Sequence, residues 1–135
     1  MTVRKRILLV EDERLVRETI RLLLGQFGFI VVEANNGAEA LGLFARGHFD
    51  LVMTDYEMPF LKGNELAAKI RRLAPGQRIL MITAFGHIAS PDNPVDAVIP
   101  KPLDFARLRA TMEHLLNGGE GDLAEPWLTE LHQCN

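Results

Sequence analysis

Four short apolar runs, each closed by a residue able to handle a phosphate or its metal, most constrain what this chain can fold into. Ile7-Leu8-Leu9-Val10 leads into Glu11-Asp12, Leu51-Val52-Met53 into Thr54-Asp55, Ile79-Leu80-Met81-Ile82 into Thr83, and Ala97-Val98-Ile99 into Pro100-Lys101. Stretches of helical period lie between the runs, an alternation that predicts a parallel sheet with helices on both faces. As parallel strands, the runs bring their closing residues to one sheet edge. Open α/β sheets bind ligands beyond the carboxyl ends of their strands, so that edge reads as an active site.

The helical stretches carry apolar stripes. In the first, Val16, Ile20, Leu23, Leu24 and Phe27 form the buried face, while Arg14, Arg17, Glu18 and Arg21 form a solvated one, and Gly25 and Gly28 mark its end. Phe29-Ile30-Val31-Val32 reads as a further strand. Asn35-Asn36-Gly37 turns into a helix with Ala40, Leu41 and Phe44 inward, closed by Gly47. A loop from Tyr56 to Lys62 precedes a helix from Gly63 with Leu66, Ile70 and Leu73 inward, ended by Pro75-Gly76. In the last helix Asp104 caps the N-terminus, and Phe105, Leu108, Met112, Leu115 and Leu116 form the stripe. Between Ala84 and Asp96, Pro91 and Pro94 stand where the rhythm calls for a helix. A proline inside a helix costs about 3 kcal/mol, so the fourth helix is expected to be truncated or missing.

At 135 residues there is room for one domain. A formal charge of -3, with no basic block, argues against direct DNA binding. The single Cys134 suits a reducing compartment, and no apolar stretch approaches the roughly 20 residues of a membrane span. The expectation is a cytoplasmic protein with no membrane contact. His48, His87, His114 and His132 lack ligand spacing. Residues 1–117 form the domain, and 118–135 a Gly-rich linker with a short tail containing Trp127, which either docks back or engages a partner.

Carboxylates gathered at one edge repel each other by about 4 kcal/mol per pair at 4 Å and an effective dielectric near 20, so they need a cation. Oxygen donors without His or Cys suit Mg²⁺ better than zinc, and Glu11, Asp12 and Asp55 are assigned to it. Asp55 is also a candidate nucleophile for a phosphoryl group. Lys101 can neutralise the phosphoryl oxygens and the Thr83 hydroxyl can donate to them, which makes Asp55, Thr83 and Lys101 the chemical set. A cis bond at Lys101-Pro102 would aim the lysine into the pocket; the sequence does not fix the isomer.

These pieces resemble the receiver domain of bacterial two-component response regulators over about residues 4 to 117. The matching motifs are Glu11-Asp12, the loop Asp55-Tyr56-Glu57-Met58-Pro59 with Gly63 behind it, Thr83-Ala84, and Lys101-Pro102. The resemblance implies a doubly wound five-stranded parallel sheet of the flavodoxin-like receiver type. It also implies phosphoryl transfer from a histidine kinase or histidine phosphotransfer protein to Asp55, Mg²⁺ dependence, and slow self-catalysed hydrolysis. Such a chain catalyses only its own phosphorylation and dephosphorylation. By the same resemblance the Glu57 backbone carbonyl ligates the metal, and Glu57 and Phe85 flank the route of the hydrolytic water.

One departure stands out: Val98 occupies the position where the family usually carries a Tyr or Phe that reports phosphorylation. Without a fused effector the module would act through contact with a downstream protein target, a second copy of the chain being one option. Two other classes compete. A receiver-like scaffold would bind constitutively without being phosphorylated. An aspartyl-phosphate phosphatase of the haloacid-dehalogenase type would need a general-acid Asp where Glu57 stands, and a cap domain.

Overall fold

The computed structural model describes residues 4–84 and 94–118. Five strands form one sheet: β1 (Arg6–Val10), β2 (Ile30–Ala34), β3 (Leu51–Asp55), β4 (Ile79–Thr83) and β5 (Ala97–Pro100). Their order is β2-β1-β3-β4-β5, with every neighbouring pair parallel. The connection from β1 runs out to β2, and the chain then returns to β3 on the other side of β1. The order therefore reverses between β1 and β3, and a crevice opens at their carboxyl ends.

The helices α1 (Arg14–Gln26), α2 (Gly37–Arg46), α3 (Gly63–Leu73) and α4 (Phe105–Leu116) divide between the two faces. Successive strand residues point to opposite faces, so alternate positions feed separate cores. Ile7, Leu9, Leu51, Met53, Leu80 and Ile82 pack with Ile20 and Leu24 of α1 and with Leu108, Met112 and Leu115 of α4. Leu8, Val10, Val52 and Ile79 pack on the other face with Ala40 of α2 and with Leu66, Ala67 and Ile70 of α3. Burial on both faces is why β3 and β4 are apolar in sequence almost throughout.

Local chemistry starts three of the four helices where the sequence suggests. Asn36 accepts the Glu39 N–H at 2.8 Å to cap α2, and Asp104 accepts the Arg107 N–H at 3.1 Å to cap α4. At α3 the Glu65 carboxylate reaches back to the Lys62 N–H at 2.9 Å.

Several expectations need correction. β2 begins one residue later than read and continues through Glu33 and Ala34, because its pairing with β1 runs to Val10↔Ala34. Leu73 and Phe105 are not inward. They are 65 % and 50 % exposed, at the last turn of α3 and the first turn of α4, where the stripes have run past the sheet. Arg17 is not part of a solvated face: it pairs with Glu33 at 3.2 Å and donates to the Glu11 carbonyl at 2.9 Å. Arg71, near the end of α3, is likewise engaged and binds the carbonyls of Pro75, Gln77 and Pro94 together with the Asp96 carboxylate.

The described residues hold four helices, the fourth following β5. The expected loss of a helix between β4 and β5 concerns 84–96, of which 85–93, including Phe85 and His87, lie outside the described residues, as does the tail with Trp127, His132 and Cys134. No helix among the described residues is long and apolar enough to cross a membrane.

Candidate functional site

Backbone ladders deliver the functional side chains to the crevice. The Glu11 N–H bonds to the Ala34 carbonyl at 3.1 Å, which extends the β1–β2 pairing by one step past Val10. The chain then turns, and the Glu11 carboxylate folds back to accept the Glu13 N–H at 3.1 Å. Arg17, one turn into α1, ties this bend to β2 through Glu33 and Asn35. Asp55 ends β3 opposite Ile82, so Thr83 stands one step further along the neighbouring strand. Lys101 follows β5 and is held by its own N–H to the Thr83 carbonyl at 2.8 Å; the Lys101–Pro102 bond is cis.

The loop after Asp55 is tied down at both ends. The Tyr56 N–H bonds to the Ile82 carbonyl at 3.0 Å, and the Gly63 N–H to the Tyr56 carbonyl at 2.9 Å. A Cβ at Gly63 would run into the Asp55 carbonyl and lie 2.9 Å from the Tyr56 Cα. Only glycine lets α3 start this close to the strand end that carries Asp55.

Carboxylate oxygens of Glu11, Asp12 and Asp55 lie within 4.8 Å of one another. Glu11 and Asp55 are 2 % and 6 % exposed, while Asp12 is partly open to solvent. The Lys101 Nζ is 3.2 Å from Asp55 Oδ1 and 3.6 Å from Glu11 Oε1, bridging the two buried acids. Burial pushes the Glu11 carboxyl up to about 7, and the Asp55 charge adds to the effect. Asp55 is raised for the same leading reason, against the pull of Lys101. Burial disfavours the Lys101 cation, but Glu11 and Asp55 outweigh it and hold the amine above its ordinary value.

Two buried acids with one lysine between them leave uncompensated negative charge. All three acids offer hard oxygen donors from one spot, without His or Cys, which fits a small divalent cation of the Mg²⁺ kind. Thr83 is fully buried at the same edge. Glu57 is placed differently: its carboxylate is about half exposed and pairs with Lys62 at 3.5 Å, outside the acid group. The Lys62 amine also lies over the Tyr56 ring, 5.4 Å from its centroid. Arg17 was missed in the sequence. The available signal was its place in the first turn of the helix that follows the acid pair.

Comparison with known proteins matches the response regulator receiver domain over residues 7–113. The response regulator MprA of Mycobacterium sp. (strain KMS) is 38 % identical over 115 residues, 82 % of this chain and 50 % of that protein. The response regulator receiver protein Anae109_2439 of Anaeromyxobacter sp. (strain Fw109-5) is 37 % identical over 112 residues, 77 % of this chain and 45 % of that one. The chain thus spans about half the length of these relatives. Among solved structures, the response regulator TrrA of Thermotoga maritima in complex with Mg²⁺-BeF superposes with a TM-score of 0.79 at 36 % identity, covering 82 % of this chain and 98 % of that one. A complex of the histidine kinase ThkA with TrrA matches with a TM-score of 0.77 at 37 % identity, covering 83 % and 98 %. With the matched region running from the first strand into the last helix, the chain belongs to the response regulator receiver domain family of two-component systems.

Proposed function

We propose that this chain accepts a phosphoryl group on Asp55 from a phosphohistidine of a sensor histidine kinase or histidine phosphotransfer protein, in a Mg²⁺-dependent reaction, and signals through contact with a protein target. The observation that carries this reading is the buried Asp55 carboxylate, 3.2 Å from the Lys101 amine and grouped with Glu11 and Asp12. The relatives add support: one solved structure holds Mg²⁺-BeF, and another pairs a receiver with a histidine kinase.

In the transfer an Asp55 carboxylate oxygen forms the new P–O bond while the P–N bond to the donor imidazole breaks, its electron pair remaining on nitrogen. Glu11, Asp12 and Asp55 would hold Mg²⁺, with the Glu57 backbone carbonyl as a further ligand. When bound, the ion neutralises charge on the phosphoryl oxygens. Lys101 moves its amine from Asp55 Oδ1 to a phosphoryl oxygen, and Thr83 donates its hydroxyl to another, so charge on the transferring group meets fixed partners. Water later attacks phosphorus, the P–O bond to Asp55 breaks with its electron pair returning to the carboxylate, and inorganic phosphate leaves. The reactive unit is 1–117, and 118–135 is an appendage to it. The phosphatase reading is weaker, because the acid two residues after Asp55 is turned outward to Lys62.

Incubation with acetyl phosphate and Mg²⁺ tests the proposal by mass spectrometry. One added phosphoryl group, lost with EDTA and in Asp55→Ala, is the expected result. No addition under any donor would favour a constitutive scaffold, and steady turnover of a chromogenic phosphate ester would revive the phosphatase.

A further inference from the structure

Away from the crevice, α2 and α3 leave a groove of about 310 Å³ between them, lined by Leu41 of α2 and by Lys69, Arg72 and Leu73 of α3. Leu41 is partly buried against the core beneath these helices, and Leu73 is 65 % exposed. Ala38 and Ala45, both exposed, stand three residues before and four after Leu41, so they share its side of α2. They continue the apolar strip for about 11 Å along the helix, with no bulk that would hold another helix off. This side of α2 is open to solvent yet carries no charge, the reverse of the usual surface-helix pattern.

Charge is distributed unevenly along the same two helices. Their acids, Glu39 and Glu65, sit in the first turns and are engaged there, Glu39 with the Asn35 N–H and Glu65 with the Lys62 N–H. Lys69 and Arg72 lie further along α3, exposed, and make no ion pair or side-chain hydrogen bond with any described residue. The groove is therefore apolar on its floor and cationic on its rim, in a chain whose formal charge is -3.

We propose that this groove docks an amphipathic helix of the protein target, its apolar stripe on Leu41 and Leu73 and its acidic side chains against Lys69 and Arg72. The slot between two helices matches a third helix in shape, and such recognition works through a few apolar anchors at helical spacing. Rim charges of one sign steer a partner of the other sign and exclude partners of the same sign. They also select against a second copy of this chain, because a two-fold pairing of this face would set Lys69 and Arg72 against their own counterparts. An anionic membrane surface is the poorer match, since these two cations fall short of the basic clusters of about four to eight that recognise such lipids. The inference rests on the reading that the chain signals by contact with a protein, and not on phosphoryl transfer.

The probe is a displayed library of helical peptides about 14 residues long, with a fixed leucine stripe and with flanking positions drawn from Glu, Lys, Gln and Ser. Peptides selected on the full chain are remeasured by fluorescence anisotropy against Leu73→Glu, Lys69→Glu/Arg72→Glu and, on α1, Leu22→Glu. The expected selection is acidic at the flanks. Its affinity should fall about tenfold or more in Leu73→Glu and in the charge-reversed variant, and stay unchanged in Leu22→Glu. Selection on Lys69→Glu/Arg72→Glu should return basic flanks instead. All the residues replaced on α1 and α3 are exposed, and far-UV circular dichroism with acetyl phosphate labelling confirms that each of these variants is folded. Asp55→Ala should bind the selected peptides as the unmodified chain does, which separates this result from the outcome of phosphorylation. Peptides without a charge preference, a preference that survives the charge reversal, or no selection at all would overturn the proposal. Co-sedimentation with phosphatidylglycerol vesicles that is lost in Lys69→Glu/Arg72→Glu, without peptide binding, would assign the cations to a membrane surface instead.

Discussion

At the scale of single residues, the site is defined by charges that the fold holds against their preference. Glu11 is raised from 4.5 to about 7 by burial, so between those values the folded protein binds more protons than the unfolded chain. Stability must then fall as pH rises through that window, by on the order of 3 kcal/mol for a shift of this size. Urea unfolding in metal-free buffer between pH 5 and 8 should show the decline, and Glu11→Gln should flatten it and be the more stable protein at pH 8. A profile unchanged by the substitution would mean that Glu11 is not the responsible group. Lys101→Ala removes the amine 3.2 Å from Asp55 and should slow phosphorylation by acetyl phosphate by on the order of 100-fold, read by mass spectrometry over time. Gly63→Ala forces a methyl group into the Asp55 carbonyl and should cost about 1–3 kcal/mol in denaturant unfolding.

At the scale of elements, the four strands that end at the site were legible because burial on both faces confines their polar residues to the strand ends, and all four runs are strands within a residue or two. The acid pair, Asp55 and Lys101 were legible for a related reason: polar groups at the ends of such runs stand out. The clamps were not. Arg17 and Arg71 lie on helix faces where arginines are usually solvated, and their partners are backbone carbonyls and acids far along the chain, which no periodicity reveals. Leu73 and Phe105 follow the stripe in sequence yet project past the sheet, because periodicity gives direction around a helix but not where the sheet stops beneath it. Arg71→Ala should therefore cost about 1–3 kcal/mol, since Asp96 and the Pro94 carbonyl lose a charged donor. A surface arginine with no such role would cost less than 0.5 kcal/mol.

At the scale of the whole molecule, the topology brings chemistry from four strand ends to one crevice. The reversal between β1 and β3 sets Glu11 and Asp12 beside Asp55, and the next two strands supply Thr83 and Lys101. A cation held by the acids should couple this edge to global stability. Mg²⁺ at ten times its dissociation constant should add about 1.4 kcal/mol and raise the melting temperature by roughly 5 °C, an effect lost in Asp12→Asn. The central claim is that Asp55 is the residue that carries the phosphoryl group, and borohydride trapping tests it most directly. Reduction of the acyl phosphate after incubation with acetyl phosphate and Mg²⁺ converts the modified aspartate to homoserine, which peptide mass spectrometry locates. The account predicts homoserine at position 55 and nowhere else; homoserine at position 12, or none at all in a fully folded sample, would contradict it.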